Sequence, residues 1–204
     1  MNYVTHSHQH ADAVLLEVER ARVAGELFSI IESISDDDLI RGFLSQGPSK
    51  SISRTINELL KERLTLAGWI PEAAIFQDDA YLGKRWRLDF AKKPISVEVA
   101  FNHGEAIAWN LIKPVLASRL NHVKKDVQTE VGIVICATDA LKTAGNFDSA
   151  VGEYEKFIRY LPPLQEVLTA PILLIGLEAP KTFHIEGRKV GAKSIGYVVK
   201  HENY

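Results

Sequence analysis

The chain contains a single cysteine, Cys136, in 204 residues, so no intrachain disulfide can form. That excludes a disulfide-framed secreted scaffold and makes a reducing, intracellular setting the expectation. No apolar run approaches the roughly 18 residues that a membrane-spanning helix needs. The first ten residues are polar and rich in histidine, without the apolar core of a secretory signal. A formal net charge of -2 gives no global basic footprint of the kind many nucleic-acid binders carry. Internal repeats and low-complexity segments are absent as well. What is present, 46% hydrophobic and 25% charged residues, is ordinary globular composition. The length suits one domain, 1–204, with a sizeable core.

Apolar periodicity outlines the elements. Residues 1–10 read as an N-terminal arm, whose His6, His8 and His10 lack the fixed scaffold a metal cluster requires. Val14, Val18, Leu27, Ile30, Ile31 and Ile34 predict one helix over 12–34. Asp36 to Asp38 suit the cap of a shorter helix that Gly47-Pro48 ends. Ile52, Ile56, Leu60 and Leu64 mark a further helix, with Ser51 or Ser53 as its cap and Gly68 as its stop. Residues 70–83 read as a loop. The runs VGIVICA (131–137) and PILLIGL (171–177) read as strands buried on both faces. Between them lie a polar connection over 140–149 and a short helix over 151–161, broken by Pro162-Pro163. One or two edge strands follow within 181–200. The order predicts a mixed central sheet flanked by helices, an α/β fold.

The chemistry concentrates in Lys84 to Asn110, KRWRLDFAKKPISVEVAFNHGEAIAWN. It reads as strand, basic turn, strand and the start of a helix to about Asn121, kinked at Pro114. Asp89 and Glu98 stand nine positions apart in it. Side chains alternate in a strand, so Glu98 and Ala100 share one face, and Val97, Val99 and Phe101 the other. Two carboxylates buried on adjacent strands repel each other unless a cation is shared between them. Mg2+ suits such an oxygen-rich site. Lys84, Arg85, Arg87, Lys92 and Lys93 crowd around Asp89, which fits a phosphate-bearing substrate. The same pattern also reads as a solvated turn with two salt-bridged strand carboxylates.

The strand–strand–helix–strand order resembles the core of the PD-(D/E)xK nucleases, here over 84–177. Within that superfamily the chain is similar to the BglII/BstYI-type restriction endonucleases. The resemblance rests on LDF with Asp89, VEVAF with Glu98 and the helix directly after them. AGW at Trp69, GEYEKF around Tyr154, APILLIGL at 170–177 and HAD at 10–12 extend it over about residues 10–180.

The resemblance implies a prokaryotic, cytoplasmic type II restriction endonuclease that hydrolyses double-stranded DNA with Mg2+. By it, Asp89, Glu98 and the backbone carbonyl of Val99 hold the cation. Asn102 and His103 match positions that contact bases, and Asp148 and Ser149 fall in a second recognition loop. Helix capping at Gly104 is the alternative role for Asn102 and His103. Lys84, Arg85, Lys92, Lys93, Lys124 and Lys125 become candidates for phosphate contacts. The family acts as a homodimer on a palindrome, possibly one containing GATC, with Trp109 and its helix as part of the dimer surface. One position departs from the pattern. Relatives carry Gln, Glu or Lys two residues after the glutamate, and this chain carries Ala100. Glu72, three residues after Trp69, is the partial substitute the sequence offers. Ala100 leaves open a catalytically weak member that only binds DNA. A repair or modification-dependent nuclease on the same core is a further alternative.

Overall fold

A computed structural model of the chain describes residues 1–81, 83–119 and 127–201. In chain order the elements are β1 (Tyr3–His8), α1 (Ala11–Val14), α2 (Val18–Ser33), α3 (Asp36–Ser45), α4 (Ser53–Leu66), β2 (Ile70–Ala74), β3 (Arg87–Lys92) and β4 (Ile95–Val99). They continue with α5 (Ile107–Arg119), β5 (Val131–Ala137), α6 (Asp139–Ala144), α7 (Tyr154–Leu164), β6 (Ile172–Leu177), β7 (Phe183–Val190) and β8 (Lys193–Lys200). Six strands form one mixed sheet in the order β1-β6-β5-β4-β3-β2, and β7-β8 is a separate hairpin. β4, β5 and β6 run parallel in its centre, and β1, β3 and β2 are antiparallel to their neighbours.

The central strands are apolar on both faces because both faces are covered. Every residue of β5 and β6 is buried. On one side Leu27, Ile31, Leu39, Phe43, Ile56, Leu60 and Leu64 from α2, α3 and α4 pack on Val97, Ile133 and Ile135. On the other, Leu111 and Val115 of α5 and Phe157 and Leu161 of α7 pack on Val134, Cys136, Ile172 and Leu174. The result is a three-layer mixed α/β fold.

Several elements differ from the sequence expectation, each for a physical reason. Residues 3–8 are not an arm but the edge strand of the sheet, from Tyr3 opposite Leu177 to His8 opposite Ile172. The free edge of the apolar strand β6 needs backbone partners, which polar residues supply as well as apolar ones. The long helix over 12–34 is two, because Glu17 is extended (φ -66, ψ 141) and α2 restarts the phase after it. Val18, expected on the apolar stripe, is 88% exposed. The cap of α3 is Ser35 rather than the aspartates. Its Oγ accepts from the Asp38 N–H at 3.1 Å and the Asp38 carboxylate accepts from the Ser35 N–H at 3.1 Å, a reciprocal capping box. Neither Ser51 nor Ser53 caps α4, whose N-cap is Ile52. Gly68 stops it as expected, with φ +81 in the left-handed region.

The supposed loop over 70–83 contains β2. A proline in a strand is tolerated at a sheet edge, and β2 is the edge beyond β3. The first half of the expected polar connection, residues 140–144, belongs to α6, capped by Thr138. α7 runs through Pro162-Pro163 to Leu164. The end of the helix expected to reach Asn121, and Lys124 and Lys125, lie outside the described residues.

Candidate active site

The β3–β4 hairpin brings the two carboxylates together. Its ladder pairs Lys92 with Ile95, Ala91 with Ser96 and Phe90 with Val97. One step further along the same register, Asp89 stands opposite Glu98. Side chains so placed have Cβ atoms roughly 5 Å apart. Asp89 Oδ2 accepts a hydrogen bond from the Val99 N–H at 2.7 Å, which fixes its carboxylate against β4. Glu98 is 1% exposed. Its Oε2 forms an ion pair with the Lys113 ammonium of α5, and its Oε1 is buried without a hydrogen-bond partner. Lys113 also donates to the Arg87 carbonyl at 3.2 Å.

Burial dominates the electrostatics. It pushes the Glu98 carboxyl up to about 8 from 4.5, with the Asp89 charge adding to the shift and Lys113 opposing it. Asp89 is also raised by burial, against the pull of the Val99 N–H and Lys113 and with a push from Glu72. The pair is thus short of positive charge.

Glu72 lies on β2 between the pairs Pro71–Phe90 and Ala73–Leu88, opposite Asp89. Its backbone is left-handed (φ 51), unusual for a glutamate and typical of strain kept at a functional position. A cleft of about 210 Å³ opens here, lined by Asn57 and Lys61 of α4 with Glu72, Asp89 and Val99. Glu72 and Asp89 therefore line one cleft, and Glu98 is not among its lining residues.

The two recognition segments also meet. The Asn102 carbonyl accepts from the Gly152 N–H at 3.1 Å, and the Gly104 N–H donates to the Ala150 carbonyl at 2.7 Å. His103 and Val151 form a β-bridge. Neither Asn102 nor His103 caps a helix with its side chain. The Asn102 side chain instead accepts from Asn110 at 2.9 Å. Asp148 holds the Ala150 N–H and the Lys50 ammonium, and Ser149 is exposed beside it.

The basic residues divide. Arg85 is exposed in a short 3-10 turn that also contains Lys84. The Lys92 ammonium is engaged within the chain, by Glu26 at 2.7 and 2.9 Å and the Ala67 carbonyl at 2.7 Å. Lys93 sits in the β3–β4 turn, separated from Asn102 by the length of β4, roughly 16 Å. Trp109 is half-buried and stacks edge-on against Trp86 at 5.3 Å, and α5 packs on the sheet and on α7.

The sequence reading missed Lys113, Asn57 and Lys61. Lys113 carries a signal in the sequence, a lone charge inside the otherwise apolar stretch LIKPVLA, where a solvated lysine is out of place.

The donor chemistry fits a divalent cation. Among the described residues no three His, Cys, Asp or Glu side chains cluster as a ligand set. A bound ion would be held by Asp89, Glu98 and backbone oxygen, with water completing its shell, as suits Mg2+. The unpartnered Glu98 Oε1 is the atom that asks for it.

Comparison with known proteins places this architecture. The fold matches the solved restriction endonuclease BglII complexed with a DNA 16-mer, with TM-score 0.68 at 17% identity over 98% of this chain and 100% of that one. The free BglII structure matches with TM-score 0.60 at 18% identity, over 98% and 100%. No curated protein sequence matches the chain. The fold class is therefore that of a restriction endonuclease. The family model for restriction endonucleases BglII/BglIII covers residues 3–177, and the chain belongs to that family.

Proposed function

We propose that the chain is a Mg2+-dependent type II restriction endonuclease, a homodimer in the prokaryotic cytoplasm that hydrolyses double-stranded DNA at a short palindrome. One observation carries this reading. Asp89 is held against β4 by the Val99 N–H beside Glu98, whose charge it opposes, and the buried Glu98 Oε1 has no partner.

Asp89, Glu98 and the Val99 carbonyl would hold the cation, which would supply Lewis-acid polarisation of the scissile phosphate and a lowered pKa for water at the site. The Val99 N–H keeps Asp89 turned toward β4. Glu72 orients water entering through the cleft it lines with Asn57 and Lys61. Asn102, His103, Asp148 and Ser149 read base edges from their joined loops. Lys84 and Arg85 contact phosphate, a role from which Lys92 is withdrawn by Glu26 and Lys93 by its place at the far end of the hairpin. Incubation with unmethylated phage DNA and Mg2+ tests the reading. Discrete fragments that EDTA abolishes are expected, and intact DNA across many substrates and metals overturns it.

Ala100 favours a second reading, a member that binds DNA without cutting it. Its side chain is buried in the apolar cluster under α5 with Ile107 and Leu111, where it offers no polar atom. A specific gel shift without cleavage, even in Mn2+, selects this reading.

A further inference from the structure

We propose that Lys113 is a positioning residue of the site, supplying from α5 the polar group that β4 lacks at Ala100. The inference rests on the nuclease reading above and assigns one of its working parts.

The placement is specific. Glu98 and Ala100 point to the face of the sheet that α5 covers, and Ala100 meets only apolar neighbours there. Lys113 arrives on the same face from the helix, its side chain 11% exposed. Its ammonium is tied to both strands of the hairpin, to Glu98 on β4 by the ion pair and to the Arg87 carbonyl on β3 at 3.2 Å. The close seat of α5 makes this reach possible. A Cβ on Gly132 of β5 would come within 2.3 Å of Pro114, the residue after Lys113, so the helix and strand touch at this level.

The arrangement differs from a structural salt bridge in two respects. Lys113 engages only Oε2 and leaves Oε1 buried and unpartnered. The pair also stands beside a second carboxylate, Asp89, so one ammonium faces two acids and the ionised cluster remains negative. A buried structural pair would be completed on all its atoms, because an orphaned charge is costly. Here the ion pair holds Glu98 by one oxygen and presents the other. With a divalent cation added, the same cluster carries one net positive charge, the complement of a phosphodiester.

The test uses the full chain and three variants, Lys113→Met, Lys113→Gln and Ala100→Lys in the Lys113→Met background. Folding is read by thermal unfolding, and Mn2+ affinity by calorimetry. DNA affinity is read by gel shift in Ca2+, and the single-turnover rate in Mg2+. Lys113→Met is expected to bind Mn2+ at least as tightly as wild type, since a competing positive charge has gone, and DNA within about threefold, while the rate falls about 100- to 1000-fold. Ala100→Lys is expected to recover at least about tenfold of that loss by returning an ammonium to the strand. Where Lys113→Met fails to fold, Lys113→Gln carries the same comparison, because it keeps hydrogen bonding and removes only the charge.

Three results overturn the proposal. One is a rate within about threefold of wild type. Another is a parallel loss of Mn2+ affinity, DNA affinity and rate, as a structural bridge requires. The third is a folded, metal-binding double variant that recovers nothing. If wild type itself cuts no DNA, the nuclease reading fails, and the Mn2+ titrations alone decide the placement of Lys113. Binding at least as tight in the variant supports it, and weaker binding overturns it.

Discussion

Replacing Glu98 with glutamine exposes the electrostatic tension of the site. In the metal-free protein the Glu98 carboxyl is held up at about 8, against 4.5 in the unfolded chain. Below 4.5 both states carry the proton. Between there and about 8 the unfolded chain is ionised while the folded protein keeps its proton, so stability falls as pH rises through this window. Above about 8 the penalty is complete. At 1.36 kcal/mol per pH unit it is on the order of 5 kcal/mol. Glutamine has no such window. Its amide changes the hydrogen bond with Lys113, which adds an offset of about 1 kcal/mol with no slope of its own. Urea denaturation in EDTA at each pH from 5 to 9 separates the two effects. Wild type is expected to lose about 1.4 kcal/mol more per pH unit than Glu98→Gln across the window. Mg2+ at 100 times its Kd should then return about 2.7 kcal/mol to wild type and nothing to the variant. Parallel stability curves for the two proteins, with the same response to Mg2+, refute the reasoning.

Other consequences are more local. Gly132→Ala forces a methyl against Pro114 at 2.3 Å and should cost about 1–3 kcal/mol in urea melts through overpacking of α5 on β5. Ser35→Ala removes the acceptor for the Asp38 N–H and should cost about 1 kcal/mol, read as a lower denaturation midpoint with an unchanged slope. Glu72→Asn keeps a residue type that tolerates the left-handed backbone, so the variant should be as stable as wild type or up to about 1 kcal/mol more so. Its single-turnover rate should nevertheless fall by about tenfold or more, because the carboxylate at the cleft has gone.

The centre of the fold was legible because its signals are local. VGIVICA and PILLIGL announce buried strands, and the spacing of Asp89 and Glu98 across a short turn leads to their cross-strand placement. The edges were not. β1 is a row of polar residues whose strand state is set by the free backbone of β6, and β2 carries Pro71 and a left-handed Glu72, both signs of a loop in isolation. Local charge misled in a similar way. The run of lysines and arginines around Asp89 reads as one patch, yet Lys92 is consumed by Glu26, a residue 66 positions away that no local pattern connects to it. Lys113 lies 15 positions beyond Glu98 with no local pattern linking the two, and the fold brings it to the pair from α5. The pairing of the Asn102 and Asp148 loops follows from tertiary contact, although both were singled out from the resemblance.

Calorimetric titration with Mn2+ at pH 8, wild type against Asp89→Asn, tests the central claim most directly. Removing one of the two facing carboxylates should abolish a binding event that wild type shows, and the variant should melt no lower in EDTA, because a buried repulsion has been relieved. Equal Mn2+ binding by the two proteins would mean that the Asp89–Glu98 pair is not the cation site, and the account built on it would fall.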